Sequence, residues 1–296
     1  MSEKIGFIGL GIMGKPMALN LCRAGYPLWV YARRVEMMEP LKVQGATPCT
    51  SPQEVAQHSE IIFIMVSETK DVEHVILGQH GVIEGAQVGS LVIDMSSIAS
   101  SATRHLAHLL AEKHIHMLDA PVSGGEQGAI EGTLSIMVGG HATQFERALP
   151  LFQKLGKNIV HIGDHGAGQI AKTCNQVLVS QMLVAVAEAL MLAKAAGVDP
   201  AQVRKALMGG FAASRVLEVH GQRMLEHQFQ PGFKTRLHQK DMKIAMQTAH
   251  ELGIALHGSA LATQYINTIV GTGQGELDSS AIVLALERLV QQSLVS

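Results

Sequence analysis

Residues 4–31 contain a strand, a glycine loop, a helix and a second strand in an order that few folds accommodate. An apolar strand occupies residues 4–8, and the pattern Gly-x-Gly-x-x-Gly follows at residues 9–14. A helical stretch then runs over residues 15–24, before a second apolar strand at residues 28–31. In a βαβ unit of about thirty residues, this pattern is typical of a dinucleotide-binding domain. A glycine-rich turn without a ligand is the alternative.

Each glycine of the loop has a separate physical task. Gly9 permits the tight turn after the strand, Gly11 lets the backbone approach a pyrophosphate, and Gly14 lets the helix pack against the strand. The pyrophosphate then lies at the helix N-terminus, where backbone N–H groups and the helix dipole favour negative charge. We therefore predict that the loop residues bind the cofactor, namely Gly9, Gly11, Ile12, Met13 and Gly14.

The end of the second strand indicates which form of the cofactor is bound. Sites for NAD carry an acidic residue here, whose carboxylate binds the ribose 2′-hydroxyl. This chain has Ala32-Arg33-Arg34 instead. Two guanidinium groups without a carboxylate suit a 2′-phosphate, so Arg33 and Arg34 favour NADP over NAD. The alternative is a pair of solvated arginines.

Apolar strands and helical stretches continue to alternate as far as about residue 140. This alternation predicts an α/β domain with a doubly wound, mostly parallel sheet, in which ligands lie at the carboxyl ends of the strands. Those ends carry Val66-Ser67, Ser96-Ser97 and Ser123-Gly124-Gly125. The last segment offers a hydroxyl and backbone N–H groups that suit a small carboxylate, and an ordinary turn is the alternative. The later strands are predicted at residues 60–66, 90–94, 116–118 and 135–138.

A long run between Gly166 and Gly197 lacks proline and is apolar on almost every face. It predicts one helix, buried on all sides, that is about 45 Å long and extends from one domain into another. Polar residues spread along the run argue against a membrane span. Lys172 and Asn175 are three residues apart and share one face of its first turns. A buried lysine near a helix N-terminus is disfavoured in its charged form and suits proton exchange, whereas a solvated surface lysine is the alternative.

The remainder of the chain is predicted to be helical. Asp199-Pro200 has the residues typical of an N-cap and a first helical position. Two domains are predicted: residues 1–164, which contain the dinucleotide-binding unit, and residues 165–296, which form an all-α domain. The family resemblance described below implies substrate binding and oligomer formation for the second. Lys240 can pair with a local carboxylate or reach into a cleft, and its spacing alone favours a solvated side chain. Further helices are predicted at residues 214–226, 237–252, 259–270 and 279–292.

Composition restricts the partners. A net charge of −2 gives no basic surface for nucleic acid, and no lysine or arginine block indicates a membrane surface. The three cysteines form no CxxC pair, which is typical of reduced thiols in the cytoplasm. The histidines lack an HExxH pattern, so no metal site is predicted. We expect a cytoplasmic protein that binds a small molecule, with neither nucleic acid nor membrane as a partner.

Four segments resemble, in the same order, the motifs of the β-hydroxyacid dehydrogenase family. They are Phe7–Gly14, Asp119–Gly125, Gly166–Asn175 and Lys240-Asp241, and the resemblance extends over essentially the whole chain. It implies an N-terminal Rossmann domain, an all-α C-terminal domain and a long interdomain helix. It also implies that homodimers or homotetramers form through the helical part.

The resemblance implies roles for individual residues. Lys172 matches the family's catalytic lysine, which protonates the carbonyl oxygen as hydride arrives. Ser123-Gly124-Gly125 and Asn175 match positions that hold the substrate carboxylate and hydroxyl. Lys240 matches a lysine at the cofactor end of the cleft.

Four positions depart from the usual family pattern. Ser97 stands where many members carry threonine near the nicotinamide. Val66 and Ser67 occupy the usual Leu-Pro position, where the family's loop contacts the cofactor. Ser100 replaces a common proline, a departure that concerns only the local turn geometry.

The implied activity is the reversible NAD(P)H-dependent reduction of a short-chain semialdehyde, with NADP preferred. Residues 131–140, 208–211 and 231–233 favour a member that reduces 2-hydroxy-3-oxopropionate (tartronate semialdehyde) to glycerate in glyoxylate metabolism. A member whose substrate has an extra methyl group, acting on 3-hydroxyisobutyrate, is the alternative. A non-catalytic NADP-binding redox sensor is a second alternative, but a sensor has no need of the proton donor that Lys172 would provide.

Overall fold

The computed structural model describes residues 3–295 of the chain. The chain divides into two compact units, residues 1–172 and residues 173–296. The long helix, Ala167–Ala195, contains the boundary between them. The boundary predicted from the sequence, between residues 164 and 165, precedes this helix.

The first unit contains a nine-stranded sheet within its described residues. Its strands are β1 Ile5–Ile8, β2 Leu28–Tyr31, β3 Thr47–Pro48, β4 Ile61–Ile64, β5 Leu91–Asp94, β6 His116–Asp119, β7 Val122–Ser123, β8 Leu134–Gly139 and β9 Gly156–Gly163. The spatial order is β3-β2-β1-β4-β5-β6-β8-β7, and β9 pairs with β8. The strands from β3 to β6 are all parallel, whereas β8 is antiparallel to both β6 and β7. The predicted doubly wound, mostly parallel sheet is therefore confirmed.

Helices flank the sheet of the first unit. They are α1 Gly14–Arg23, α2 Glu39–Lys42, α3 Pro52–Gln57, α4 Thr69–Leu77, α5 Val82–Gly85, α6 Ser100–Ala111, α7 Gly125–Glu131 and α8 Ala142–Leu155, with a 3₁₀ turn at Val35–Met37. The sequence patterns did not predict α7, α8 or β9. Glycine occupies four of the nine positions from 124 to 132, and Pro150 lies inside α8. Both residue types lower the helix propensity of the local sequence, so neither helix is predicted from it.

Both faces of the sheet are buried, which explains the continuous apolar runs of its central strands. In β4, Ile61 and Phe63 belong to one core cluster, whereas Ile62 and Ile64 belong to the other. Because successive side chains of a strand point to opposite faces, a strand covered on both sides must be apolar at every position. The carboxyl ends of the parallel strands are therefore where polar residues can gather.

The second unit is helical throughout its regular elements. It contains most of α9 (Ala167–Ala195), then α10 Pro200–Leu207, α11 Arg215–Glu226, α12 Thr235–Glu251, α13 His257–Gly271, a 3₁₀ turn at Ser279–Ile282 and α14 Val283–Val290. Asp199 caps α10 as predicted, because its side chain accepts a hydrogen bond from Ala201 N at 2.9 Å. The last predicted helix, over residues 279–292, instead begins as the 3₁₀ turn and ends at Val290.

The prediction that α9 is buried on all sides is wrong for the single chain. Leu183, Ala187 and Leu190 are fully buried in the core of the second unit. One face is nevertheless exposed, and we call it the α9 stripe: Cys174, Leu178, Gln181, Ala185, Glu188 and Leu192. By length and composition alone α9 could cross a membrane, but half of its most apolar 18-residue stretch is buried inside the protein.

Asp278 is a buried polar centre in the second unit. Its carboxylate lies 2.6 Å from the Arg223 guanidinium and 3.3 Å from His220 Nδ1. It also accepts hydrogen bonds from the backbone of Phe233 at 3.1 Å and from the Ser280 hydroxyl at 2.7 Å. Burial alone would raise the pKa of Asp278, but its interactions with His220 and Ser280 outweigh burial and lower the pKa. This carboxylate therefore joins α11, the loop before α12 and the 3₁₀ turn before α14.

Candidate functional site

The glycine loop after β1 has the geometry that its sequence predicts. Gly9 has a φ of 97°, a conformation that L side chains rarely adopt. A Cβ added at Gly14 would overlap with the carbonyl oxygen of Gly9, so loop and helix touch through backbone alone. At Gly11, by contrast, an added Cβ would meet nothing within 4 Å. Gly9 thus forms the tight turn and Gly14 allows the close packing of the helix. Gly11 leaves its backbone open to a ligand.

The N-terminus of α1 suits a phosphate. The N-cap Met13 makes no side-chain hydrogen bond to the helix, and the first turn has no acidic residue. Ile12 is 43% exposed, so the loop meets solvent rather than the core. Uncapped N–H groups at a helix N-terminus favour an anion. The residues at the loop therefore fit a dinucleotide pyrophosphate.

The two arginines after β2 both reach solvent. The Arg33 side chain is 80% exposed and lies 3.6 Å from the carboxylate of Asp71 on α4. Arg34 is also exposed and precedes the 3₁₀ turn. An exposed ion pair of this kind contributes little energy, so it can open when an anion competes for the guanidinium. Arg33 and Arg34 therefore remain able to contact a 2′-phosphate.

The loops after β4 and β5 are hydrogen-bonded to each other. The Val66 backbone N–H donates to Ser96 Oγ at 3.0 Å, and Ser96 N donates to Asp94 Oδ1 at 3.0 Å. Ser67 is exposed and Ser97 is half-buried. The predicted cofactor positions Val66, Ser67 and Ser97 thus lie on two loops that one buried serine connects.

The predicted carboxylate-binding segment connects β7 to α7. Ser123 ends β7 and is half-buried, whereas Gly124 and Gly125 are exposed. Gly124 has a φ of 135° and Gly125 a φ of 64°, so two successive residues adopt conformations that favour glycine. These conformations present backbone groups to solvent next to the serine hydroxyl.

The start of α9 is fastened to the sheet by a buried carboxylate. Asp119, at the end of β6, accepts hydrogen bonds from Gly166 N at 2.8 Å and Gln169 N at 2.9 Å. Burial raises the pKa of Asp119, and these two N–H groups offset that rise only in part. Lys172 lies one turn beyond Gln169 and is half-buried rather than fully exposed. The residue proposed to exchange a proton thus stands on a helix whose first turn is fixed.

In the second unit, a chain of polar side chains connects two predicted site residues. Asn175 Nδ2 donates to Gln176 Oε1 at 2.8 Å, and Gln176 Nε2 donates to Asp241 Oδ2 at 2.7 Å. Lys240 Nζ lies 2.9 Å from Asp241 Oδ1, and its side chain is only 20% exposed. The local-carboxylate alternative for Lys240 is therefore confirmed, and the solvated one is wrong.

Sequence reasoning missed four polar residues that hold the predicted ones. Asp119 and Asp241 were quoted only as parts of motifs, and neither Gln169 nor Gln176 was assigned a role. All four are buried. The available signal was a polar residue within an apolar run, since a buried polar side chain must find a hydrogen-bond partner.

A cavity of about 440 Å³ in the first unit has none of these residues in its lining. It is at the amino ends of β5 and β6, the opposite end of the sheet from the glycine loop, and contains no predicted site residue. Within residues 3–295, no group of three or more His, Cys, Asp or Glu side chains is arranged to hold a metal ion. The lining of the cavity includes His114, His116, His141 and His165.

Two family models match nearly the whole chain. Residues 4–163 match the NAD binding domain of 6-phosphogluconate dehydrogenase. Residues 166–286 match the NAD-binding domain of NADP-dependent 3-hydroxyisobutyrate dehydrogenase. Both models describe nicotinamide-dependent oxidoreductases, so the glycine loop lies in a domain type that binds such a cofactor.

Individual relatives match over their full length. The chain is 49% identical over 291 residues to 2-hydroxy-3-oxopropionate reductase of Escherichia coli (strain K12), covering 98% of this chain and 99% of that protein. It is 36% identical over 294 residues to 2-(hydroxymethyl)glutarate dehydrogenase of Eubacterium barkeri, covering 99% and 98%. The structure of Mycobacterium tuberculosis 3-hydroxyisobutyrate dehydrogenase with L-serine has a TM-score of 0.87 at 29% identity, covering 97% and 99%. The fold is shared throughout, while the substrates of these relatives differ.

Proposed function

The chain belongs to the β-hydroxyacid dehydrogenase family of NAD(P)-dependent oxidoreductases, and from that membership we propose that it is a 2-hydroxy-3-oxopropionate (tartronate semialdehyde) reductase. The reaction converts the semialdehyde, a reduced nicotinamide cofactor and a proton into glycerate and the oxidised cofactor. The observation that carries the proposal is the 49% identity to the Escherichia coli reductase over 98% of this chain. Membership in a family of oxidoreductases also decides against the redox-sensor alternative.

Lys172 is the proposed proton donor. When bound, the nicotinamide cofactor supplies the hydride that reduces the carbonyl carbon. Negative charge develops on the carbonyl oxygen, where a positioned ammonium stabilises it and gives up its proton. Partial burial of Lys172 supports this role, because a less solvated ammonium interacts more strongly with developing charge. The resulting neutral amine regains a proton from solvent before the next turnover.

The remaining predicted residues bind and orient. We assign the substrate carboxylate and hydroxyl to Ser123-Gly124-Gly125 and Asn175. The pyrophosphate is assigned to the glycine loop, and the 2′-phosphate of NADP to Arg33 and Arg34. Exposure of both guanidinium groups and the single weak pairing of Arg33 with Asp71 support the preference for NADP.

A second candidate substrate has one more methyl group. The match of residues 166–286 to a 3-hydroxyisobutyrate dehydrogenase domain and the 29% identity to the Mycobacterium tuberculosis enzyme favour 3-hydroxyisobutyrate. A hydrophobic pocket distinguishes substrates that differ by one methylene by only about 10–200-fold. The two activities are therefore expected to differ in degree, and the ratio of their kcat/KM values is the deciding quantity.

A spectrophotometric screen tests the proposal. Tartronate semialdehyde and methylmalonate semialdehyde are each reduced with NADPH and with NADH, and glycerate, 3-hydroxyisobutyrate and L-serine are offered in the reverse direction. We expect the highest kcat/KM for tartronate semialdehyde with NADPH, by about tenfold or more over methylmalonate semialdehyde. A higher value for methylmalonate semialdehyde would identify the second candidate as the activity. No turnover of either semialdehyde would refute both.

A further inference from the structure

We infer that Gln169 is a positioning residue, which holds the loop after β5 against the first turn of α9 and thereby fixes Lys172 relative to Ser97. This inference rests on the proposed function, because that function gives Lys172 its chemistry. It concerns only contacts within the first unit. Gln169 and its partners Ser96 and Ile98 are not among the residues assigned above to substrate or cofactor. Ser97, which lies between these two partners, is one of them.

The side-chain amide of Gln169 bridges both sides of Ser97. Its Nε2 donates to the Ser96 carbonyl oxygen at 2.8 Å, and its Oε1 accepts from the Ile98 backbone N–H at 3.1 Å. A carbonyl can only accept and an N–H can only donate, so these partners fix the orientation of the amide. Gln169 is 1% exposed, so water does not compete for either bond. The loop therefore has one position with respect to the helix.

The loop has little freedom on its other side. Ser96 accepts from Val66 N through its hydroxyl and donates to Asp94 through its backbone, as described above. Movement of Ser97 would break one of these bonds or one of the two to Gln169. Each bond is buried or half-buried, where leaving a polar group unpaired costs about 1–3 kcal/mol. The Gln169 amide thus joins the two cofactor loops to α9 in one network.

The helix end is equally confined. Asp119 accepts from the N–H of Gly166, which immediately precedes α9, and from the N–H of Gln169 in its first turn. A Cβ added at Gly168 would lie 2.8 Å from the Asp119 carbonyl oxygen and 2.9 Å from its carboxylate, so helix and strand are in backbone contact. Gln169 and Lys172 are three residues apart on one face, about 4.5 Å along the axis. A change in the position of Gln169 is therefore expected to change the position of Lys172.

Loss of the bridge is expected to affect turnover more than binding. Misplacement by about 1 Å can reduce a reaction rate about 10²-fold, whereas the glycine loop and the arginines, which hold the cofactor phosphates, still bind the cofactor when the loop that carries Ser97 shifts. For Gln169→Leu we expect kcat to fall about 10–100-fold, with the NADPH dissociation constant changed less than about threefold. Gln247→Leu is the control, since Gln247 is exposed on α12 and its amide donates to Glu251 on the same helix.

A double-mutant comparison separates positioning of Lys172 from a general structural role. If Gln169 acts by placing the Lys172 ammonium, then adding Gln169→Leu to Lys172→Ala should lower the residual turnover by less than about threefold. If Gln169→Leu lowers turnover by the same factor in the Lys172→Ala background as it does in the wild type, the inference is overturned. Normal kcat in a folded Gln169→Leu variant would also overturn it.

Gln169→Glu offers a variant that pH can rescue. A carboxylate accepts from the Ile98 N–H but repels the Ser96 carbonyl oxygen, whereas a carboxylic acid can donate to it. Burial favours the protonated form. We expect the ratio of the variant's kcat to that of the wild type to rise as pH falls from about 8 to about 6. A ratio that stays constant over this range contradicts the bridge.

Amide hydrogen exchange tests the bridge without any substrate. Gln169→Leu removes the acceptor of the Ile98 N–H, so exchange at Ile98 should accelerate about tenfold or more, with no such change in Lys172→Ala. Unchanged exchange overturns the inference whatever the enzyme reduces. Accelerated exchange in a protein that reduces no semialdehyde would instead refute the proposed function.

Discussion

Lys172 carries the proposed proton transfer, and its replacement is the most direct test at the residue scale. Lys172→Ala should lower turnover of tartronate semialdehyde by about 10²–10⁴-fold while NADPH still binds. Lys172→Arg should not restore the rate, because a guanidinium stays protonated and has a different shape. Steady-state kinetics and fluorescence titration of NADPH measure the two effects. Near-normal turnover in folded Lys172→Ala would remove this lysine from the mechanism.

Cofactor preference is also decided by single residues. Arg33→Asp replaces a charge-assisted donor with a carboxylate that repels a 2′-phosphate and accepts from a ribose hydroxyl. We expect kcat/KM with NADPH to fall about tenfold or more and that with NADH to change little or rise. Arg215→Asp is the matched control, because Arg215 is a similarly exposed arginine on α11. A wild-type preference for NADH would contradict the assignment.

At the scale of elements, Asp278 makes the helical unit sensitive to acid. Its lowered pKa means that the ionised form stabilises the fold fully at pH above the unfolded pKa of about 4. This contribution diminishes as pH falls from that value through the lower pKa of the folded state. Asp278→Asn should destabilise the protein by about 3 kcal/mol at neutral pH, since the Arg223 guanidinium loses its counter-charge. Urea unfolding at pH about 7 and about 3 measures this. A difference from wild type that is undiminished at the lower pH would contradict the prediction.

Elements with strong local patterns were predictable, and elements defined by distant partners were not. The strands β1, β2, β4 and β5 are short segments of mostly apolar residues, and α9 lies in a long stretch without proline that is apolar on almost every face, so their positions follow from local sequence. The helix α7 follows Gly124 and begins at Gly125, both in positive-φ conformations, and it also contains Gly128, which lowers its local propensity. It forms because Ala129 packs in the core and the Ala129 carbonyl accepts from Asn20 Nδ2 at 2.9 Å.

The candidate site divides in the same way. The glycine loop and Arg33 could be proposed from residue type and spacing, and Lys172 from its spacing together with the resemblance of its motif. The side chains that hold such residues could not, because Gln169 reaches a loop 71 residues earlier and Gln176 reaches a carboxylate 65 residues later. Hydrogen bonds between residues so far apart in the sequence form only once the chain has folded. They leave only a weak local signal, an amide within an apolar helix.

At the scale of the whole molecule, the α9 stripe predicts self-association. Leu178 is 61% exposed and Leu192 is 72% exposed, on a helix whose other faces are in the core. Apolar residues that recur on one exposed helix face are typical of interfaces. We expect light scattering at micromolar concentration to give at least twice the chain mass of 31.6 kDa. A monomeric mass would rule this out.

A pair of substitutions locates the interface within that prediction. Leu178→Glu together with Leu192→Glu should lower the measured mass, because charge on an apolar interface is costly to bury. Val43→Glu is the control, since Val43 is 80% exposed in the first unit and lies outside the stripe. If the double variant keeps the wild-type mass, the subunits meet through another surface.

The glycine loop has a genetic consequence. Every missense codon at position 14 adds a Cβ where the Gly9 carbonyl oxygen already lies, so no such allele can keep the loop and helix in place. At position 11 an alanine codon meets nothing within 4 Å, and its only cost falls where a pyrophosphate would approach. In a library scored for both abundance and activity, position 14 variants should lose the protein. Position 11 variants should accumulate normally and be inactive. Substitutions three residues apart would then separate a loss of stability from a loss of cofactor binding.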